Sequence, residues 1–149
     1  VLNHDSIYAE LIVDGVHLHH AAVNLAIKAK GTDKLILISD AMRAAGLSDG
    51  KYDLAGQEVT VENGEARLAD GTIAGSTLNL NKAIKNVIKH NNVSIEDAVK
   101  MASTNPAKAI GIFDRKGSIA EGKTADLVFF DETITIKKVM KNGYLFDKF

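Results

Sequence analysis

The sequence predicts an α/β protein, and three observations predict it. Residues 7–13 and 35–39 are largely apolar without alternation, as are strands covered on both faces. Between them, Val23 and Ile27 follow helical spacing, and Gly31 ends this helix at about residue 30. A strand, a helix and a strand within about 33 residues form a βαβ unit, whose crossover is expected to be right-handed.

The next segment predicts an antiparallel hairpin. Residues 57–68 alternate apolar and polar side chains on either side of Asn63-Gly64. An Asn-Gly pair between two such runs is the strongest short-range hairpin signal. We expect this hairpin to be an excursion from the parallel core, after which Asp70-Gly71 turns the chain toward residues 72–76.

Three helical segments follow the hairpin. The first has one apolar face, formed by Leu80, Ala83, Ile84, Val87 and Ile88. Ser94 begins the second with a capping box that has Asp97 in the usual glutamate position. Asn105-Pro106 predicts that the third helix begins with an asparagine cap followed by proline.

The last part of the chain returns to strands, which we expect at residues 125–130, 133–141 and 144–146. The segment 117–123 is rich in small and polar residues and separates the helices from these strands. We therefore predict two units, residues 1–116 and residues 117–149.

Composition excludes several classes of function. A chain of 149 residues with 46% hydrophobic and 25% charged residues is typical of a globular domain. The net charge is −1 and the 18 basic residues are scattered, so nothing favours nucleic acid or a membrane surface as a partner. No apolar run approaches the ~20 residues of a membrane span. The absence of cysteine excludes disulfides and thiolate metal sites and suits a cytoplasmic protein.

Asp40 is the first candidate site residue. It directly follows the apolar residues 35–39 and precedes a loop-like segment. In a parallel barrel, a carboxylate at the carboxyl end of a strand stands at the rim where such barrels carry out chemistry. An aspartate after a strand is also a common turn or helix N-cap residue, and the residues alone leave both interpretations open.

Three histidines lie just after the first predicted strand. His17 and His19 have the His-x-His spacing that many metal hydrolases carry at a strand end. Because a helix is predicted to begin here, their rings would diverge by about 200°, which disfavours a shared metal ion. We interpret His19 and His20 as surface residues of the first helical turn. His17 lies nearest the strand end, where the adjacent helix N-terminus favours an anion.

The segment 71–76 (GTIAGS) is a third candidate. Glycine lets the backbone approach a ligand closely, and Ser76 is expected to cap the helix behind it. A plain loop-to-helix connection explains the same residues. The sequence contains no phosphate-binding P-loop, dinucleotide fingerprint or nucleophile elbow.

Four segments together resemble the N-acetylglucosamine-6-phosphate deacetylase family of the amidohydrolase superfamily. They are residues 12–17 (IVDGVH), 37–41 (LISDA), 70–76 (DGTIAGS) and 101–107 (MASTNPA). They occur in the family's order and at about its spacing. Residues 117–128 are similar to the end of amidohydrolase-superfamily enzymes generally.

The resemblance implies a metal-dependent TIM-barrel hydrolase with a small β-sandwich, of which this chain is the C-terminal portion. Residues 1–116 would supply the last two barrel strands and their helices, with the hairpin at about residues 57–68 as an excursion. Residues 117–149 would supply the C-terminal strands of the sandwich. The strand edges left unpaired in such a portion predict that the chain dimerises, rearranges or stays bound to the remainder.

The implied reaction is hydrolysis of the acetamide of N-acetylglucosamine 6-phosphate to glucosamine 6-phosphate and acetate, a step of amino-sugar metabolism. Asp40 matches the family's catalytic acid/base aspartate, and His17 matches its substrate-binding histidine near the sugar phosphate. The substrate-binding residues that the resemblance implies are Asp14, Gly15, Val16, His17, Ile73, Ala74, Gly75 and Ser76.

The resemblance also implies a cofactor and an assembly. The intact enzyme would bind a divalent metal, zinc or similar, on a glutamate and two histidines of earlier strands. We expect no metal site in this chain and no activity from the chain alone. An arginine that reaches the neighbouring subunit's substrate implies a homodimer of the intact enzyme. The expected partner is a small-molecule amino-sugar phosphate, and the expected location is the cytoplasm.

Two other functions fit parts of the sequence. Another amidohydrolase, acting on a different amide or cyclic amide, would share residues 117–128, and only the segments around His17 and Gly75-Ser76 argue against it. A self-contained α/β binding or interaction domain without catalysis is the second. The start at Val1 without a methionine and the two-stranded parallel core disfavour this second interpretation.

Overall fold

The structure, a computed structural model, describes residues 1–147 of the chain. Lys148 and Phe149, the last two residues of the predicted sandwich segment, lie outside the described residues. In chain order, the elements are β1 (Ala9–Leu11), α1 (His20–Lys30), a 3₁₀ turn (Thr32–Lys34), β2 (Leu35–Leu37), β3 (Gly50–Leu54), β4 (Gln57–Glu62), β5 (Glu65–Arg67), α2 (Leu80–Asn91), α3 (Ile95–Ala102), α4 (Thr104–Ala109), β6 (Leu127–Phe130), β7 (Ile136–Lys141) and β8 (Tyr144–Phe146).

The βαβ unit predicted from the sequence is present. β1 and β2 pair in parallel, with Ala9 opposite Leu35 and Leu11 opposite Leu37. The pairing continues past β2, because the Ile38 amide donates to the Leu11 carbonyl at 3.1 Å. Helix α1 connects the two strands and ends at Gly31, whose φ of 71° is accessible to glycine and costly for other residues.

The main core lies between this strand pair and helices α1, α2 and α3. β2 is buried at all three positions, which is why its apolar residues do not alternate. The prediction that β1 is also covered on both faces is wrong, because Ala9 and Leu11 are buried while Glu10 between them is exposed. The side chains with no more than 2% exposure at its centre are Val23, Leu35, Leu37, Ala83, Val87, Ala98 and Met101. Burial of each of the larger ones stabilises the fold by about 1.5–3 kcal/mol. This core holds the loops that follow β1 and β2 in place.

Helices α2 and α3 follow most of their sequence signals, although Leu80, the first residue of the predicted apolar face, is 40% exposed. Ala83, Ile84 and Val87 are buried on one face of α2, as their spacing predicts. Ser94 caps α3, since its hydroxyl accepts the Asp97 amide at 3.1 Å. The N-cap predicted at Asn105 is wrong, because α4 already begins at Thr104.

Asn105 instead ties α4 to the start of β2. Its side chain is 1% exposed. Its amide Nδ2 donates to the carbonyls of Thr32 and Leu35, both at 2.7 Å. These two acceptors lie where the 3₁₀ turn leads into the strand. A buried amide that satisfies two backbone carbonyls is expensive to remove, because each carbonyl loses its partner away from water.

We therefore expect Asn105→Ala to lower the free energy of unfolding by about 2–4 kcal/mol, since a buried group left without its partner costs about 1–3 kcal/mol. Urea unfolding followed by circular dichroism measures this. Asn91→Ala is the matched control, because Asn91 donates a single exposed hydrogen bond to the His20 carbonyl. The control should cost about 1 kcal/mol or less. Equal losses in the two variants would contradict the bridging role of Asn105.

A three-stranded antiparallel sheet follows the loop after β2. β4 pairs with β5 across the Asn63-Gly64 turn, and β3 pairs with the other edge of β4. The buried side chains beneath this sheet form a second, smaller core of Met42, Ala44, Val59, Val61, Ala66 and Ala74. Strand β3 had no sequence prediction, because four of its five residues are exposed and it shows no apolar alternation.

The third sheet is also antiparallel, in the order β6-β7-β8. The turn between β6 and β7 reaches the main core through Ile134, which is 6% exposed. Apolar side chains on the outer strands remain exposed: Val128, Phe129, Tyr144, Leu145 and Phe146. Among residues 1–147, no helix combines the length and the apolar character that crossing a membrane requires.

Candidate functional site

The loops after β1 and β2 meet at one edge of the parallel strand pair. Asp14 follows β1 by three residues, and Asp40 follows β2 by three residues. Because the strands are parallel and in register, both aspartates emerge at the carboxyl edge. The sequence predicted polar groups at the ends of these two strands, and the fold brings their two loops together.

The segment around Ser76 joins this edge from far along the chain. Ala41 and Ser76 form a parallel bridge. The Ser76 amide donates to the Asp40 carbonyl at 3.1 Å, and the Met42 amide donates to the Ser76 carbonyl at 2.8 Å. Residues 40–42 and Ser76 therefore lie side by side as a short continuation of the parallel pairing.

Gly75 allows this close approach. Its φ is +79°, and a Cβ at this position would lie 3.2 Å from Met42 Cβ. A side chain here would therefore push the loop away from Asp40 and Met42 as well as straining its backbone. Glycine is therefore required at residue 75 for a structural reason that the sequence pattern alone did not reveal.

The Asp14 carboxylate organises the loop after β1. Oδ1 accepts the amides of Val16 at 2.9 Å and His17 at 2.8 Å. Oδ2 lies 2.7 Å from His17 Nδ1 and accepts the Ser76 hydroxyl at 3.2 Å. Ser76 Oγ also accepts the Leu78 amide at 3.0 Å, so this serine closes a turn. The cap of α2 predicted at Ser76 is wrong, because Asn79 occupies the N-cap position.

The charge state of Asp14 follows from these contacts. Burial raises the pKa of the Asp14 carboxyl, but hydrogen bonds from the His17 amide, the His17 ring and the Val16 amide together lower it below its usual value. The carboxylate is therefore ionised at neutral pH and acts only as an acceptor.

Asp40 is exposed and has a φ of +48°. This left-handed conformation is uncommon outside glycine, although Asp and Asn tolerate it best. A non-glycine residue held in such a conformation at a strand end is a reason to suspect function there. Its carbonyl accepts the Ser76 amide, and the residue is exposed to solvent.

The histidines do not form a shared site. The His17 ring contacts Asp14 and its side chain is 21% exposed. His19 is exposed and caps α1, since its Nδ1 accepts the Ala21 amide at 3.3 Å. The His19 and His20 rings lie with centroids 3.9 Å apart, and those of His20 and His90 lie 5.8 Å apart.

The side chains present do not form a metal-binding cluster among the described residues. Within residues 1–147, no three His, Asp, Glu or Cys side chains come together as a metal ion requires. His17 Nδ1 is engaged by Asp14, and His19 Nδ1 is engaged by a backbone amide. The described residues therefore do not fit a resident metal ion.

A groove of about 320 Å³ lies beside this loop cluster, between it, the hairpin tip and α2. Its lining includes Asp14, Val16 and Ser76 from the loop cluster and Lys82 and Lys85 from α2. These two lysines were not among the residues predicted from the sequence. Their spacing of three residues on the polar face of α2 was the available signal.

These features define a class: an α/β protein in which three separate segments bring polar groups to the carboxyl edge of parallel strands. Folds of this class carry their binding and catalytic sites at that edge. The comparisons with known proteins give the family.

The sequence model of the amidohydrolase family matches residues 2–145, and the chain belongs to this family. A relative from Bacillus subtilis, N-acetylglucosamine-6-phosphate deacetylase, is 52% identical over 127 residues, which are 85% of this chain and 32% of the relative. The chain thus spans about a third of the length of this curated relative.

Two solved structures give the same result in three dimensions. The N-acetylglucosamine-6-phosphate deacetylase from Pasteurella multocida superposes with a TM-score of 0.95 at 32% identity, covering 99% of this chain and 38% of that structure. A mutant of the Mycobacterium smegmatis deacetylase in complex with N-acetyl-D-glucosamine-6-phosphate superposes with a TM-score of 0.90 at 35% identity, covering 97% of this chain and 39% of that structure.

Proposed function

We propose that this chain is part of an enzyme that hydrolyses N-acetylglucosamine 6-phosphate to glucosamine 6-phosphate and acetate. The observation that carries the proposal is the match to the Pasteurella multocida deacetylase, which covers 99% of the chain at a TM-score of 0.95. The 52% identity to the Bacillus subtilis deacetylase supports the same activity. The whole enzyme is proposed to act as a cytoplasmic homodimer on this amino-sugar phosphate.

In this proposal, the chain is the C-terminal portion of a TIM-barrel hydrolase. Residues 1–116 contribute the last two barrel strands with their helices, and the parallel pairing of β1 with β2 supports this assignment. Residues 117–149 contribute strands of a small β-sandwich. The exposed apolar side chains on β6 and β8 support this second assignment, because such a surface is stabilised by packing against another sheet.

Asp40 is proposed as the catalytic acid and base. Its carboxylate accepts a proton from the water that attacks the acetamide carbonyl, and a new C–O bond forms. It then donates that proton to the sugar nitrogen as the C–N bond breaks, which releases acetate and the amine. One exposed carboxylate at a strand end can perform both transfers in sequence.

His17 is proposed to contact the sugar phosphate. The backbone of residues 14–16 and of residues 73–76 is proposed to line the sugar-binding pocket around it. The support is their position, since hydrogen bonds join these two segments and Asp40 at one edge of the strands. The divalent metal that the resemblance implies has no ligand set among residues 1–147, so its ligands are assigned to other residues of the whole enzyme.

A chimera tests the proposed activity. This chain replaces the matching segment of the Bacillus subtilis relative, and the purified chimera is assayed for acetate release. We expect release from N-acetylglucosamine 6-phosphate, with kcat/KM within about 10-fold of the parent enzyme. The chain alone is the control and is expected to be inactive.

The alternatives predict different results in the same assay. A folded, metal-loaded chimera that releases no acetate but hydrolyses another amide or a cyclic amide would move the assignment to a different amidohydrolase. A chimera that hydrolyses neither would favour the non-catalytic interaction domain. Activity of the chain alone would show that its own residues suffice for catalysis.

A further inference from the structure

We propose that Asp14 is a positioning residue, which holds the His17 ring with Nδ1 protonated and leaves Nε2 as its only ligand-binding atom. This inference rests on the proposed function, in which His17 contacts the sugar phosphate. It gives the Asp14 side chain a role of its own, in addition to the substrate contacts proposed for the backbone of residues 14–16.

The Asp14 carboxylate is already occupied by the protein. Its two oxygens have four partners: two backbone amides on Oδ1, and the His17 ring and the Ser76 hydroxyl on Oδ2. The side chain is 12% exposed. An ionised carboxylate with four donors has little capacity left for a ligand, and its negative charge would repel a phosphate.

The contact with His17 determines which ring nitrogen carries the proton. An ionised carboxylate only accepts hydrogen bonds, so Nδ1 must be the donor across the 2.7 Å that separates it from Oδ2. The tautomer of a histidine is set by the bond that its other nitrogen makes. A neutral His17 therefore presents only a lone pair at Nε2, which repels a phosphate oxygen. The proposed phosphate contact uses the protonated ring, whose Nε2–H donates to the phosphate while Nδ1–H donates to Asp14.

Asp14 also links His17 to the loop that carries Asp40. Ser76 is 3% exposed, its hydroxyl donates to Asp14, and its backbone pairs with Asp40 and Met42. The positions of the proposed phosphate contact and the proposed catalytic carboxylate are thus connected through one side chain. Loss of this connection should weaken substrate binding more than it slows the chemical step.

The first test is the tautomer of His17 in this chain. Long-range ¹H–¹⁵N spectra, recorded at a pH where imidazoles are neutral, report which ring nitrogen carries the proton. We expect His17 to be protonated on Nδ1. His19 is an internal control with the opposite expectation, because its Nδ1 accepts the Ala21 amide and its proton must lie on Nε2.

Asp14→Asn should reverse the His17 tautomer. The asparagine carbonyl can keep the two backbone hydrogen bonds, and its NH₂ group then faces Nδ1 as a donor, which moves the ring proton to Nε2. Asp70→Asn is the matched control, since Asp70 accepts the Thr72 amide at 2.9 Å in a similar turn. It should leave His17 unchanged. The His17 tautomer is measured in the unaltered chain. It therefore tests the predicted contact between Asp14 and His17 even if Asp14→Asn does not fold.

The second test separates positioning from a purely structural role. In the chimera, Asp14→Asn should raise the KM for N-acetylglucosamine 6-phosphate by about 10-fold or more, because the neutral ring left by asparagine gives the phosphate a hydrogen bond that is no longer charge-assisted. Its kcat should change much less, and its thermal unfolding midpoint should stay close to that of Asp70→Asn.

The tautomer and the KM together decide between the proposal and its alternatives. A His17 ring protonated on Nε2 in the unaltered chain overturns the proposal. A reversed tautomer with an unchanged KM in an active chimera also overturns it, since the contact would then be structural only. If the unaltered chimera is inactive, the proposed function fails, while the tautomer still decides whether Asp14 orients His17.

Discussion

Replacing Asp40 with asparagine should reduce kcat/KM of the chimera for N-acetylglucosamine 6-phosphate by about 10²–10⁴-fold, the usual contribution of a general acid or base. Asparagine has the same size but neither accepts nor delivers a proton in this way. The effect should lie mainly in kcat, because the proposed role of Asp40 begins only when water attacks the amide. Acetate release at several substrate concentrations gives both constants.

Stability should not change in this variant. Asn tolerates the left-handed conformation at least as well as Asp, so the φ of +48° at residue 40 carries no new cost. The carbonyl of residue 40 keeps its hydrogen bond from Ser76. Asp53→Asn, at an exposed carboxylate of β3, is the matched control and should retain full activity. An Asp40→Asn chimera with at least a tenth of the parent kcat would remove Asp40 from the catalytic role.

Local sequence signals predicted the elements of this fold that depend mainly on residues close together in the sequence. The apolar run before Asp40 predicted a strand buried on both faces, because such a strand needs no polar positions. The run before Asp14 also predicted a strand, but only alternate positions of that strand are buried and Glu10 is exposed. Asn63-Gly64 predicted the turn between β4 and β5, since both residues adopt the positive φ that a tight hairpin requires. Ser94 predicted the start of α3 for a similarly local reason.

The contacts that assemble the candidate site span long distances in the sequence. Ser76 reaches Asp14 across 62 positions, and Asn105 reaches Leu35 across 70. Neither contact leaves a periodic pattern, since a polar side chain near a turn or a helix start already has a local explanation. The sequence predicted both residues as helix N-caps, but in the structure they make these long-range contacts instead.

The sequence pattern also does not show which glycines the structure requires. Gly117 shows how much free energy of unfolding such a position can involve. Its φ is +87°, and a Cβ added there would lie 2.5 Å from Ala107 Cβ and 3.2 Å from the Ser103 carbonyl. The loop is tethered to the start of α4, because Thr104 Oγ1 donates to the Gly117 carbonyl at 2.6 Å. The neighbouring atoms belong to α4 and the turn before it, so relief of the clash would require a shift of this helix.

We therefore expect Gly117→Ala to lower the free energy of unfolding by about 2–5 kcal/mol, the sum of about 1–2 for the left-handed backbone and about 1–3 for overpacking. Gly122→Ala is the matched control. Its φ is +82° but nothing lies within 4 Å of the added Cβ, so only the backbone cost remains. Urea unfolding of both variants separates the two contributions. Equal losses would contradict the overpacking argument. They would mean that α4 shifts at little cost to accommodate the new methyl group, and that the contact between Gly117 and α4 is not tightly packed.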